Sequence, residues 1–191
     1  MRRRSSRGAS LIEAAITVGV LAILALGTIE FGYAWRQSTV VEKTVQQSGR
    51  VVASVADQPM ADYEALQTFR SFLGSSKNMS LDLLVVYRST TADGAVPDQC
   101  LTTSVPGLCN RYEAADLNLP TSSFGSCTGT SRDRYWCPAG RERGRSPRPD
   151  YVGIYAQLQY SGITRSIPGG LTLERTAVYA IEPCASGLPG C

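Results

Sequence analysis

Two groups of residues have types and spacings that could do chemistry: six cysteines in the second half of the chain, and a glycine and a glutamate near its start. The cysteines are Cys100, Cys109, Cys127, Cys137, Cys184 and Cys191; none forms a C-x-x-C pair, and all sit among Pro, Gly, Ser and Asn rather than in apolar runs. An even number of cysteines at loop-like positions points to disulfides and an oxidising compartment rather than to buried thiols or a metal site. There is no histidine. The commonest general base near neutral pH and the commonest zinc or iron ligand are therefore both missing. No phosphate-binding loop, no G-x-G-x-x-G after a strand and no G-x-S-x-G is present. Asp62 and Glu64 fall on different faces of a helix, and Asp93, Asp98, Glu113 and Asp116 are scattered through a long irregular stretch. Nothing converges on a catalytic constellation, so the expectation is a non-enzyme with no cofactor and no metal.

The charge of the chain is placed where it orients a membrane helix. Arg2, Arg3, Arg4 and Arg7 precede residue 8 with no acid among them; without these four, the 19 basic residues become 15 against 16 acidic ones. The folded part thus lacks the basic surplus that nucleic-acid binding needs, and no nucleic-acid partner is expected. From Ala9 to Ile29 runs a 21-residue stretch whose single charge is Glu13. At 1.5 Å per residue a helix of that length covers ~30 Å, the thickness of a bilayer core. Four arginines before the span keep the start in the cytoplasm and send the rest across, and Tyr33 and Trp35 follow where aromatic rings favour the interface.

A cleaved signal peptide would end its apolar run at a small-residue site. Here the run is followed by Glu30-Phe31-Gly32-Tyr33-Ala34-Trp35, and Val41, Val45, Val52 and Val55 continue a helical face with no proline before Pro59. The spacing predicts one helix from Ala9 to about Ala56, spanning the membrane over residues 9–29 and amphipathic beyond. Glu13 remains to be explained, because a carboxylate near the head of a membrane helix costs a few kcal/mol unless paired or at the interface.

The run Gly8-Ala9-Ser10-Leu11-Ile12-Glu13 closes a short basic leader with Gly and sets a Glu fifth after it. It resembles the processing site of type IV prepilins. The resemblance implies a leader of residues 1–8, removed by a prepilin peptidase between Gly8 and Ala9. It also implies an assembly role for Glu13, whose carboxylate meets the free amine of a neighbouring subunit. Such pairing makes a membrane-buried acid tolerable. Gly8 suits the site because it places no side chain where a protease must reach the backbone. The segment Gly27-Thr28-Ile29-Glu30-Phe31-Gly32-Tyr33-Ala34-Trp35 resembles the end of the membrane helix in TadE-like proteins, minor pseudopilins of the tight-adherence (Flp pilus) system. That likeness, carried by Glu30, Phe31 and Gly32 and running over residues 7 to about 56, implies a structural subunit in pilus priming, tip formation or assembly. The implied partners are the bilayer, the prepilin peptidase, other pilin and pseudopilin subunits and the Tad assembly machinery. The implied location is a single pass through the inner membrane with the C-terminal domain outside the cytoplasm. Major Flp pilins usually carry Tyr after the Glu, whereas Ala14 stands here, and the chain is much longer than theirs; both departures favour a minor subunit.

Residues 57–191 read as an exported α+β domain. Pro59 to Leu73 predicts a second helix, capped by Asp57 and apolar along Met60, Tyr63, Leu66, Phe69 and Leu73. Leu81–Arg88, Tyr151–Ser161 and Leu171–Ile181 predict three strands. The last two pair as a hairpin through a connection ending in Pro168-Gly169-Gly170, and a break at Arg175 interrupts the third. The implied architecture is a pilin-like α+β fold: a long helix packed with a second helix on a small antiparallel sheet. Between the first and second strands lies an excursion over 89–150, poor in regular structure and held by disulfides. Fifteen pairings of six cysteines exist; the sequence-local set Cys100–Cys109, Cys127–Cys137 and Cys184–Cys191 is expected. Arg141, Arg143, Arg145 and Arg148 in PAGRERGRSPRPD read as a solvated mobile loop in preference to an anion contact. A second class of function stays open at this point: an adhesin-like binding module on a plain anchor, with no processing at Gly8. An anchored hydrolase is a third, which would have to work without histidine.

Overall fold

The computed structural model describes residues 7–143, 150–163 and 170–182. Its first element, α1 (Arg7–Ser54), is one unbroken 48-residue helix, close to the expected 9–56. Every residue from Gly8 to Ile29 is exposed. From Glu30 onward one stripe turns inward, through Ala34, Val41, Val45, Ser48 and Val52. Spacings of three, four and seven keep such a stripe on a single helix face. The second helix, α2 (Ala61–Ser75), buries Ala61, Ala65, Leu66 and Phe69 against α1. It starts two residues later than expected, and Met60 rather than Asp57 precedes it, without a side-chain cap. Asp57 instead accepts a 2.5 Å ion pair from Arg143.

Four antiparallel strands form one sheet in the order β2-β1-β3-β4, with β1 Met79–Ser89, β2 Cys109–Tyr112, β3 Tyr151–Tyr160 and β4 Leu171–Ala180. The sequence reading had three; β2 was hidden in the excursion, where its four residues pair Leu84 with Tyr112 through to Tyr87 with Cys109. β3 and β4 pair along their length, Tyr160 with Leu171 at one end and Tyr151 with Ala180 at the other, as the hairpin expectation required. Strand alternation sends Val152, Ile154, Ala156, Leu158 and Tyr160 to the helix side. In β1 the register shifts between Leu81 and Leu83, so Leu81 shares that side with Leu84 and Val86 although their parity differs. Arg175 does not break β4. It faces α1, and its Nη2 donates to Ser38 Oγ.

The excursion is not irregular. It contains the short helix α3 (Asp98–Thr102), β2, and three single 3-10 turns at Ala114–Asn118, Thr121–Ser123 and Pro138–Gly140. Its first part covers the outer face of the sheet. There Val96, Leu101, Val105 and Leu108 pack with Cys100, Cys109, Leu83, Val85, Tyr87 and Tyr155. Its second part supplies Tyr112, Leu117, Phe124 and Trp136 to the main core between sheet and helices. The disulfides Cys100–Cys109 and Cys127–Cys137 are formed as expected. Cys184 and Cys191 lie outside the described residues, as do Arg145, Arg148 and the Pro168-Gly169 connection.

Two glycines are placed by ring contacts. Gly49 sits inside α1, five residues before its end at Ser54, where glycine costs about 1 kcal/mol of helix stability. A Cβ there would lie 2.7 Å from the Tyr179 ring. Gly153 pairs directly with Tyr87, and a Cβ on it would lie 2.1 Å from the tyrosine ring, which is fully buried and donates its hydroxyl to Gly94 O at 2.8 Å. Because the ring cannot swing away, Gly153→Val should lower stability by about 1–3 kcal/mol, measurable as a drop in the urea midpoint of the detergent-solubilised chain. Gly94→Ala is not an adequate control, because a Cβ there would lie 2.0 Å from Ser89 Oγ; Gly129→Asn is, since nothing lies within 4 Å and asparagine tolerates the φ of +58° there.

Candidate functional site

Two places concentrate the polar groups that the apolar framework does not explain: the stretch of α1 from Gly8 to Trp35, and a buried charge cluster beneath α2. In the first, an 18-residue window of mean hydropathy 2.3 has none of its residues buried against the protein. Glu13 lies within the exposed part, and among the described residues its carboxylate has no bonding partner; its carbonyl accepts a 2.8 Å bond from the Thr17 hydroxyl. Gly8 and Ala9 are equally exposed, and nothing approaches a Cβ built on Gly8.

The helix changes character at Glu30. This is the first buried residue of α1, and its Oε1 accepts the backbone N–H of Ile163 at 2.9 Å. The acid therefore ties the end of the apolar stretch to the segment that follows β3. Phe31 and Gly32 are exposed, with the Phe31 ring 6.5 Å from that of Trp35. Tyr160, at the end of β3, has its phenol raised by burial first and by the negative charge of Glu30 second. Between the two halves lies an apolar groove of about 770 Å³, lined on the helix by Ile23, Leu26, Gly27 and Phe31 and on the sheet by Leu171 and Leu173.

In the second place, Asp62 and Arg141 form an ion pair of 2.6 Å with both side chains at 0% exposure. Asp62 Oδ2 also accepts from Asn110 Nδ2 at 2.8 Å and from the Tyr112 hydroxyl at 2.7 Å. Asn110 in turn bridges to Trp136, donating to its carbonyl at 2.9 Å and accepting its N–H at 2.9 Å. The Arg141 guanidinium lies 4.2 Å over the Trp136 ring, an arrangement that favours a desolvated cation. Three donors on one carboxylate satisfy a charge that would otherwise be prohibitive to bury. The cluster joins α2, β2 and the end of the excursion, so it locks the excursion to the helical layer.

Residues 8–50 match the family model of TadE-like protein. The TadE-like segment covers all the residues from which the resemblance was read, Gly8, Glu13 and Glu30 to Gly32, and stops within α1. No curated protein and no solved structure matches the chain.

Against the sequence reading, the structure keeps Gly8, Ala9 and Glu13 together on the exposed end of α1 and sets Glu30 apart at the domain. It overturns the reading of the arginine-rich loop for the two arginines described: Arg141 is buried in the Asp62 cluster, and Arg143 pairs with Asp57 and donates to Glu182 O. Charge patterning could not reveal this, since Asp62 and Arg141 are 79 residues apart. Asp116 and Glu113 have structural work: Asp116 caps its 3-10 turn and pairs with Arg132 at 2.7 Å, while Glu113 pairs with Arg111. No group of three or more metal-ligating side chains occurs among the described residues.

Removing one charge of the buried pair strands the other. Arg141→Ala should therefore cost about 3–5 kcal/mol in urea unfolding, whereas the double substitution Asp62→Asn with Arg141→Met should cost clearly less.

Alkaline pH should act through the buried phenols. Burial lifts Tyr87 and Tyr155 to about 12, the latter helped by Glu174, and lifts Tyr112 well above 10.0 through burial and the Asp62 charge. Above pH 10 the unfolded chain loses these protons while the folded chain keeps them, so stability falls with rising pH. Urea midpoints should be level from pH 8 to about 9 and decline from 10 towards 12, with the phenolate absorbance of these residues appearing only on unfolding.

Proposed function

We propose that the chain is a minor pilin-like subunit of a tight-adherence (Flp-type) pilus, with a structural rather than an enzymatic role. Residues 1–8 are the prepilin leader, cut after Gly8, and Ala9 becomes the mature amino terminus. The observation that carries this reading is the division of α1. Within the helix that carries the TadE-like match over residues 8–50, the part from Gly8 to Ile29 is exposed throughout, and the part from Glu30 onward is the spine of the domain. A helix of this kind can be held in a bilayer before assembly and in a bundle of other subunits' helices afterwards, because both surroundings are apolar. Glu13 is the exception, and its exposure is what the assembly role asks for. The carboxylate is available to a neighbouring subunit's free amine, and pairing removes the penalty of an isolated charge in an apolar medium. It thereby favours one stagger between subunits over others.

The four leading arginines orient the span with its start in the cytoplasm. The domain then lies outside, in the inner-membrane face of the envelope or in the pilus, where the disulfides Cys100–Cys109 and Cys127–Cys137 are stable. The partners are the prepilin peptidase, other pilin and pseudopilin subunits and the Tad machinery.

N-terminal sequencing and intact mass of the protein, expressed with and without its prepilin peptidase, test the reading. The mature chain should begin at Ala9. Gly8→Ala, or loss of the peptidase, should leave the leader in place. Glu13→Ala should be cut normally yet be depleted from sheared pili. A chain beginning at Met1 in the presence of the peptidase, or cut beyond Ala34, would replace this reading with that of an anchored or secreted binding module.

A further inference from the structure

The large exposed apolar side chains are confined to one end of the molecule. Those described are the span residues from Leu11 to Ile29, then Phe31, Tyr33 and Trp35 just past it, and only two from the rest of the domain: Ile163 and Leu171. These two flank the connection end of the β3–β4 hairpin, at the Tyr160–Leu171 pair, and both are held beside the helix where it leaves its apolar stretch. Ile163 is fixed there by its N–H bond to Glu30, and Leu171 by the groove it shares with Ile23, Leu26 and Gly27 of the span and with Trp35 beyond it. At 1.5 Å per residue, Ile29 and Trp35 are ~9 Å apart along the axis. That matches the depth of the layer between hydrocarbon and water. Phe31, Tyr33 and Trp35 lie within that depth along the helix, and Ile163 and Leu171 are held beside the same part of α1 by the Glu30 bond and the shared groove. The groove between them continues the surface of the membrane span with a mainly apolar lining, into which Glu30 and Ser38 bring polar groups. Arg36 is exposed next to Trp35, where a cation meets lipid phosphates.

We infer that this end of the sheet is a second membrane contact: Ile163 and Leu171 enter the interfacial layer of the bilayer, lipid fills the groove between β4 and α1, and the domain is seated on the membrane in one orientation. The alternative, a domain held clear of the surface on a rod, would leave in water the apolar collar that holds, among the described residues, every large exposed apolar side chain outside the span. Because Glu30 joins α1 to the hairpin end, the orientation of the domain is set by that bond together with the lipid contact. The inference rests on α1 spanning the bilayer, but not on cleavage at Gly8 or on entry into a filament.

Tryptophan quenching by brominated lipids tests it in the full chain, reconstituted in phosphatidylcholine and phosphatidylglycerol vesicles. Trp35→Phe frees the interface of its native indole, while Trp136 stays buried in the domain core as an internal reference. Leu171→Trp and, independently, Ile163→Trp are added to that background; both positions are exposed enough to take the ring. Val18→Trp marks the span. The expected result is loss of emission from positions 171 and 163 with bromine near the headgroup end of the acyl chain, as strong as that of native Trp35, together with protection from acrylamide. Position 18 should lose emission to bromine deep in the chain. If position 18 is quenched by lipid while 171 and 163 are quenched only by acrylamide, the domain stands off the surface and the seat is wrong. If 171 and 163 are shielded from acrylamide only at high protein-to-lipid ratio, without lipid quenching, a second copy covers the groove and the inference is again overturned. If position 18 itself escapes lipid quenching, the span has failed and the seat with it. Agreement between the two hairpin positions guards against one substitution disturbing the fold.

Discussion

The packing of one stripe of α1 against the sheet and α2 holds the two halves of this molecule together. Val41, Val45 and Val52 are completely buried, and they meet Ile154, Leu158 and the rest of the sheet's helix face on one side and α2 on the other. The same helix must be apolar all round for its first six turns and on one side only afterwards. Glu30 sits where one requirement gives way to the other. Its carboxylate marks the boundary chemically, since it is the first side chain of α1 that the domain buries, and mechanically, since it grips the end of β3. A rigid junction follows. The domain cannot swing freely about the anchor, because 24 residues of that helix, from Phe31 to Ser54, are built into it or lie against it.

A second constraint comes from the size of the domain. Two helices and three strands leave one face of the sheet open and the lower edge of α2 uncovered. The excursion closes both. Its first disulfide loop lies over Leu83, Val85 and Tyr87, and its second brings Trp136 and Arg141 under α2. The buried Asp62–Arg141 pair is worth little against an apolar replacement of the same volume. What it supplies is direction: Asp62 accepts from three side chains, from β2 and from the far end of the excursion, and only one docking of the excursion satisfies them all. Arg88 with Asp150 at 2.6 Å, and Arg143 with Asp57, fasten the same segment at its exit. The disulfides shorten the loops that must find this arrangement, which reduces the conformational freedom lost on folding.

Surface chemistry is distributed to match. Away from the anchor and its collar, the domain shows water no large apolar side chain among the described residues. The part of the protein that can engage other apolar surfaces is therefore the helix and the groove at its exit, while the exposed faces of the excursion are polar.

What the sequence determined by itself was everything carried by local periodicity. The length and composition of residues 9–29 specified a span, the valine stripe specified the inward face of α1, and strict alternation specified β3, because helix and strand periods are properties of neighbouring residues. The Gly8 to Glu13 spacing carried the prepilin resemblance, and the Glu30-Phe31-Gly32 motif the TadE-like one, for the same reason. The two short disulfides also lay within reach of local reasoning. Only the tertiary structure decided the rest. β2 has four residues, too few to show a period, and becomes a strand because β1 offers it an edge. Arg175 looked like a break in β4 until Ser38 of α1 stood opposite it. Arg141 carried every local mark of a solvated loop residue, with Pro, Gly and other arginines around it. Its burial depends on an aspartate 79 positions earlier, and an electrostatic partner at that distance leaves no trace in the residues beside it.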